Sequence, residues 1–599
     1  MASQKSGSDS RKVRVPEAVE GIQVNHCKNP VCENFGLAAR NKGKDPAYTR
    51  VGANSRPPRI GEKAKSIPPS VRCKSCGETI PLKSNAGVVD TIDILTWRPE
   101  TFCCPQPECE NTSVDLRTTP DAYYRHGKTR QGTPRFRCRA CGQTFVTQGR
   151  RRPQRAGERP YRTEQVVKAL LNSMPINRII EIFSIHPQTI YDIIDRAYEA
   201  CLVFAAEREI QLGAKAAGRG DLYIATDRQS YTLNWRLRAD KRNTVLRAIV
   251  STEVLSGYVF PVHLNYDARS DVTQVNEIAM LLGDPQMPGI WRRFPHYWLL
   301  DDYAEGIFRV REDAIPQETL AQLRKEPLAH VRRIYRQALK RWDVEAPSDQ
   351  LDTQTKLPDE GLQLREEYVL YAHFSLLRRW LEAFDEAHFF VDQESGIRAA
   401  YMAAFHDWVL ANRSHLFYTK VKGAPTREER EAAARERDEI LEEARQQWGS
   451  VGRGKIELLK IALQANSQQQ GHWHDRWTPY PWGSSGEVEK TFSHQTARPE
   501  QDLERLAEIL LHCSLLPTER FLQRARRRLS PLERGVPTAA GNRRIWTGRA
   551  PYNPKMIIKL LELLRVYVNY CEAPNRNRGN TPAMDLGLAR GPVELRKIL

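Results

Sequence analysis

Twelve cysteines occur in the chain, nine of them before residue 142, and eight of those nine follow a repeated grammar. Cys27-x4-Cys32 is followed, after a long Gly/Pro/Lys-rich gap, by Cys73-x2-Cys76-Gly; Cys104-x4-Cys109 is followed, after a basic gap, by Cys138-x2-Cys141-Gly. Tetrahedral zinc takes four thiolates from two tight turns, and a glycine after the knuckle lets backbone amides turn toward the sulfurs. The pattern predicts a duplicated zinc ribbon holding two structural Zn²⁺ ions, one per cysteine quartet, with Cys103 as a spare thiol beside Cys104. Four protein ligands leave no open coordination position, so catalysis is expected elsewhere. The second set able to do chemistry is acidic: Asp227, Asp392 and Glu519. A few carboxylates converging from separate elements suit hard Mg²⁺. Two such ions, about 3.5–4 Å apart, can activate an attacking oxygen and stabilise a leaving oxygen at a phosphodiester.

These acids need elements to carry them. A β-rich run at 222–226 ends in Asp227, and two more apolar, β-branched runs follow at 245–252 and 258–264, joined by a turn at Ser256-Gly257. An amphipathic helix at 366–384 leads into Ala387-His-Phe-Phe-Val-Asp392, so Asp392 also ends a strand; a helix at 396–410 and a strand at 416–421 come next. Asp301 and Asp302, after the strand-like run His296-Tyr-Trp-Leu-Leu, are rivals for the second acid. Asp392 is preferred because the helix and strand after it continue the pattern. Glu519 follows Pro517-Thr518 and opens an arginine-rich helix in which Arg526, Arg527 and Arg528 can line a phosphate groove. Its rivals are Glu487 and Glu489. The charged helix at 425–448 reads as solvated, and the aromatic stretch with His472, Trp473 and His474 reads as packing.

The net charge of +18 favours a polyanionic partner, because neutralising phosphates releases condensed counterions. Arg135, Arg137 and Arg139 around the second knuckle, and the basic linker at 149–160, are placed to meet phosphates. Next come a helical pattern from Thr163, a short helix at 176–183, a Ser184-Ile-His-Pro turn, and a second helix from Gln188. That is helix-turn-helix spacing, with Gln188 and Thr189 facing bases or phosphates of double-stranded DNA. No apolar run approaches the ~20 residues of a membrane helix, and the N-terminus lacks an apolar signal core. A cytoplasmic, nucleoid-associated protein with reduced thiols is expected.

The fold class expected is multidomain α+β. It comprises a basic disordered arm (1–20), tandem zinc ribbons (21–150), a helix-turn-helix domain (151–215), an α/β catalytic core (216–535) with helical insertions at about 267–365 and 423–500, and a helical tail (536–599).

The order of ribbon, helix-turn-helix, Asp-strand, Asp-strand and Glu-helix resembles the DDE-type transposases of bacterial insertion sequences. The matching motifs are Ile224-Ala-Thr-Asp227, Phe389-Phe-Val-Asp392-Gln-Glu-Ser-Gly, Glu519-Arg-Phe with Arg526-Arg-Arg-Leu-Ser-Pro-Leu-Glu-Arg, and the tail motifs Tyr567-Val-Asn-Tyr and Asn580-Thr-Pro-Ala-Met-Asp-Leu-Gly-Leu. The resemblance implies an RNase H-like core with two catalytic Mg²⁺ ions on Asp227, Asp392 and Glu519. It implies recognition of terminal inverted repeats, nicking at the element's 3′ ends, and attack of the freed 3′-hydroxyl on target DNA by a homodimer or larger synaptic assembly. A domesticated, non-catalytic DNA-binding regulator and a nuclease that cuts without joining share these features. The 165-residue step from Asp227 to Asp392 is long for such a pair and requires an insertion.

Overall fold

In the computed structural model, an eight-stranded mixed sheet collects strands from three separated stretches of the chain. The residues described are 13–41, 44–52, 69–96, 102–114, 116, 119–129, 134–146, 160–213, 220–238, 240–302, 355–394, 396–423, 425–465, 468–470, 475–535, 545–573 and 579–599. The protein is mixed α+β, and among the described residues no helix is long and apolar enough to cross a membrane. Residues 1–12 of the expected arm, the 149–159 linker, most of the 267–365 insertion (303–354) and the His472-Trp473-His474 stretch lie outside the described residues.

Two small three-stranded antiparallel sheets precede the large one: β1 (Tyr48–Val51), β2 (Ser70–Cys73) and β3 (Thr79–Pro81), then β4 (Tyr123–Lys128), β5 (Pro134–Cys138) and β6 (Thr144–Val146). Each carries one cysteine quartet. The first has so little apolar surface that it recruits the end of the expected arm. Val13 and Val15 are each 2% exposed within its core, so residues 13–20 of that stretch are packed. From it runs the helix Asn85–Leu95, capped by Ser84, whose side chain accepts from the Gly87 amide. This helix lies against the helix Glu366–Trp380 so closely that a Cβ on Gly87 would fall 2.6 Å from Pro295 Cγ and 2.9 Å from the Tyr368 ring. Lys83 and Glu367 form an ion pair beside it.

The next helices are Pro160–Leu170, Ile176–Phe183 and Pro187–Glu209. The second ends at Ser184 in a left-handed conformation (φ 48°), and the third begins under a cap in which His186 accepts from the Gln188 amide. Val166, Val167, Leu170, Ile179, Ile190 and Ile194 close the apolar centre of the group. The third helix is 23 residues long rather than short. Its far end reaches the large sheet's surroundings, where Tyr258 Oη donates to Glu209.

The large sheet contains β7 (Leu222–Leu233), β8 (Thr244–Glu253), β9 (His263–Leu264), β12 (Ala387–Val391), β13 (Leu416–Val421), β14 (Gln468–Gln470), β15 (Asp475–Pro479) and β16 (Lys490–His494); β10 (Tyr266–Asp267) and β11 (Leu362–Gln363) pair separately. Its order is β14-β15-β16-β13-β12-β7-β8-β9. β7, β12 and β13 run parallel, β8 and β9 extend the β7 side as an antiparallel meander, and β16 is antiparallel to β13. All five residues of β12 are buried, as a central parallel strand covered on both faces requires. Ile224, Phe389 and Val391 face one core, while Tyr223, Ala225, Phe390 and Phe417 face another.

Four expectations change. β7 runs to Leu233, so Asp227 sits within a strand rather than at its tip. The 258–264 run is a strand only at His263–Leu264, with Val259 making an isolated bridge to Thr252, because Pro261 between them has no amide to give a ladder. His296–Leu300 is not a strand; Tyr297 bridges Leu364, and Leu300 already opens a helical turn through Asp302. Residues 475–494, expected in an insertion, contribute β15 and β16 to the main sheet, while the helical hairpin Arg427–Trp448 and Val451–Gln464 stands outside it.

Gly87→Val should cost about 1–3 kcal/mol through overpacking and loosen the first module from the sheet domain. Limited proteolysis between residues 96 and 102 would detect it; unchanged denaturation and cleavage would contradict this packing.

Candidate metal centres

Parallel pairing sets the acidic site. β12 is in register with β7 from Ala387 opposite Leu222 to Val391 opposite Thr226. One residue further along that register stands Asp392 beside Asp227. The third acid arrives on the helix Leu516–Arg528, in its first turn. Two contacts bring the start of that helix to the strand ends. Thr518, fully buried, donates its hydroxyl to the Ala225 carbonyl at 2.8 Å. Glu487 accepts from the Leu515 amide and the Ser514 hydroxyl, both at 3.0 Å, and so caps the helix entry.

Asp227, Asp392 and Glu519 are all half-buried. The Arg228 amide donates to Asp227 at 2.7 Å, and the Gln393 amide to Asp392 at 2.7 Å. Lys420 on β13 grips Asp392 through both oxygens, at 2.8 and 3.1 Å. Among the described residues no cation contacts Asp227 or Glu519. Burial, then the charges of Glu394, Asp392 and Glu519, push the Asp227 carboxyl up to about 8. Burial, Glu487 and Asp392 raise Glu519, with Lys420 opposing them. The three acids thus lie within electrostatic reach of one another, although their oxygens are not gathered within the 4.8 Å that unites the cysteine quartets. Like charges without a cation between them repel, and Lys420 draws Asp392 toward β13.

The rivals are occupied. Asp302 is held between Arg292 (2.6 Å) and Arg365 (2.7 Å), and Asp301 is exposed. Glu487 pairs with Lys490 at 3.0 Å in addition to its capping role, and Glu489 pairs with Lys422 at 2.7 Å on the surface. A further trio, Asp221, Glu386 and His388, could hold a metal by spacing. Its charge is already met by Arg505, which is ion-paired with Asp221 and, at 2.8 Å, with Glu386.

The eight predicted cysteines form two quartets that can hold zinc, Cys27/Cys32/Cys73/Cys76 and Cys104/Cys109/Cys138/Cys141. Cys103 is in neither. The duplication extends beyond the ligands. Asn34 Nδ2 donates to Cys73 Sγ at 3.4 Å and Asn111 Nδ2 to Cys138 Sγ at 3.3 Å. The hydroxyls of Tyr48 and Tyr123 accept from the amides of Cys27 and Cys104. Both knuckles turn on a glycine of positive φ, Gly77 (76°) and Gly142 (73°). Aligning the two copies would have revealed the asparagines, since Cys-Glu-Asn stands at 32–34 and again at 109–111.

Of the residues expected to meet DNA, Gln188 is exposed with its amide on Asp192 (2.9 Å), Thr189 is partly buried, Arg526 is half-buried and Arg527 is exposed. Arg528 differs from these in being bonded within the protein. Its guanidinium is consumed inside the protein, donating to the Leu171 carbonyl (2.9 Å), Asn172 (3.1 Å) and Glu572 (2.5 Å). Lys420 is the contributor that no motif marked; Thr518 and Glu487, read from the sequence as a helix-start residue and a rival acid, instead seat the Glu519 helix. No protein-family model, curated protein or solved structure matches this chain.

Purified under reducing conditions, the protein should carry two zinc ions per chain. Asn34→Ala and Asn111→Ala should each release one about 10–100-fold more readily to a chelator, as read by a zinc indicator; full metal content with no change in release would contradict the quartets' role. The acidic site has its own signature. A carboxyl titrating near 8 in the fold, against an ordinary 3.8, binds its proton more tightly when folded, so stability falls as pH rises between those values. In metal-free buffer Asp227→Asn should melt higher than wild type, by ~2 °C or more at pH 8 and less at pH 5; a gap independent of pH would contradict the crowding.

Proposed function

We propose that the chain is a DDE-type polynucleotidyl transferase, a DNA transposase with an RNase H-like core in which Asp227, Asp392 and Glu519 hold two Mg²⁺ ions. The observation that carries this reading is the meeting, at neighbouring strands and a helix start, of three carboxylates of which two have no cationic partner among the described residues. Hard oxygen donors short of positive charge suit a divalent, oxygen-preferring ion. A three-stranded antiparallel meander followed by two strands parallel to its first member supports the RNase H-like assignment.

Bound Mg²⁺ would supply activation of the attacking oxygen and stabilisation of the leaving oxygen at the phosphodiester. The protein's own part is positioning. β7 and β12 hold two carboxylates side by side, and Thr518 and Glu487 seat the third. Arg526 and Arg527 lie further along the Glu519 helix, where the backbone of bound DNA can run. The helices at 160–209, read as a helix-turn-helix with Gln188 and Thr189 at the start of the recognition helix, would select the terminal inverted repeats. The paired cysteine modules, read as zinc ribbons, would add phosphate contacts through Arg135, Arg137 and Arg139. A homodimer or larger assembly would synapse the two ends.

Asp227→Asn, Asp392→Asn and Glu519→Gln should each lower Mg²⁺-dependent nicking of an end-containing duplex at least ~10³-fold while leaving DNA affinity within a few-fold of wild type. Appearance of joined products with target plasmid distinguishes transfer from hydrolysis. Cleavage retained in any of the three variants would remove that residue from the site.

A further inference from the structure

Among the described residues Lys420 is the one cation in contact with any of the three acids, and its placement is built into the sheet. It lies on β13, in register with Thr491 of β16, with β12 on its other side. Its ammonium meets both oxygens of Asp392, at 2.8 and 3.1 Å, and its side chain is 16% exposed. Such a two-oxygen grip is the approach a divalent ion would use. The strand tethers the ammonium there, so its local concentration is set by the fold, in the millimolar range or above. Asp392 therefore cannot turn toward Asp227 and Glu519 without losing this partner.

We infer that Lys420 is a built-in competitor for the divalent cation: its ammonium holds Asp392 in the cation-free protein, and an ion shared by Asp392 and its neighbours must displace it. The inference rests on the reading of the acids as a metal site. It explains why Asp227 and Glu519 have no cationic contact while Asp392 does, and why the three carboxylates are spread wider than the cysteine quartets. A cationic guard of this kind keeps the crowded acids tolerable before metal arrives. Once displaced, the ammonium remains on β13 beside the site, where the phosphates of bound DNA offer it a new anion. Metal and DNA would then strengthen each other's binding.

The test is Mn²⁺ binding to the full-length, zinc-loaded protein, measured by calorimetry and by the Mn²⁺ paramagnetic resonance signal in the absence of DNA. Lys420→Met and Lys420→Gln should bind Mn²⁺ at least ~10-fold more tightly than wild type, whereas Lys420→Arg, which keeps the charge, should not gain affinity. Neutral variants that bind no tighter than wild type would overturn the inference, as would an equal gain in Lys420→Arg, which would point to packing. Asp227→Asn separates the two levels of the argument. If wild type binds Mn²⁺ and Asp227→Asn abolishes that binding, the metal site stands whatever Lys420 does. If Asp227→Asn binds as wild type does, or neither wild type nor the neutral Lys420 variants bind any, the metal-site reading falls and the inference falls with it.

Discussion

Everything at the acidic site follows from one pairing, the parallel ladder between β7 and β12. It joins strands whose acids are 165 residues apart in sequence and sets two carboxylates abreast. A fold under selection for stability alone would place a lysine or an apolar side chain there. Instead the Glu519 helix is pinned to the Ala225 carbonyl, and the Asp227 carboxyl is driven to about 8 by burial and like charge. Unfavourable local electrostatics of this kind concentrate where a ligand is to be bound.

The modules around the sheet are fastened to it by specific contacts. The first cysteine module docks through the Asn85–Leu95 helix, and Arg398 from the helix Ile397–Leu410 donates to its Lys28 carbonyl at 3.1 Å. The helix carrying Glu519 ends on the turn that follows Pro160–Leu170, where the Ser173 amide donates to the Arg528 carbonyl at 2.8 Å and the Arg528 guanidinium holds Leu171 and Asn172. One helix therefore spans from the acidic site to the helices proposed to read DNA.

Much of this is legible in the sequence itself. Cysteine spacing identified both quartets, because a tetrahedral centre imposes short intervals that chance seldom repeats. Strong apolar runs marked β12 and β13 and the helices between residues 366 and 410. The 258–264 strand failed because apolar content says nothing of a missing amide at Pro261. The end of β7 was misplaced because Gln229, Ser230 and Thr232 look polar, yet they pair with β8 throughout. The internal bonds of Arg528 were not legible, since charge alone cannot distinguish a free surface cation from one bonded within the protein. Lys420 was invisible for a related reason: its partner lies across two strands, a relation that only the sheet order reveals.

The most direct measurement is the anomalous scattering of Mn²⁺ in crystals of the protein bound to an end-containing DNA duplex. The account predicts density within coordination distance of Asp227, Asp392 and Glu519, with Lys420 turned away from Asp392. Manganese seated instead at Asp221, Glu386 and His388, or its absence from all three predicted acids, would contradict it.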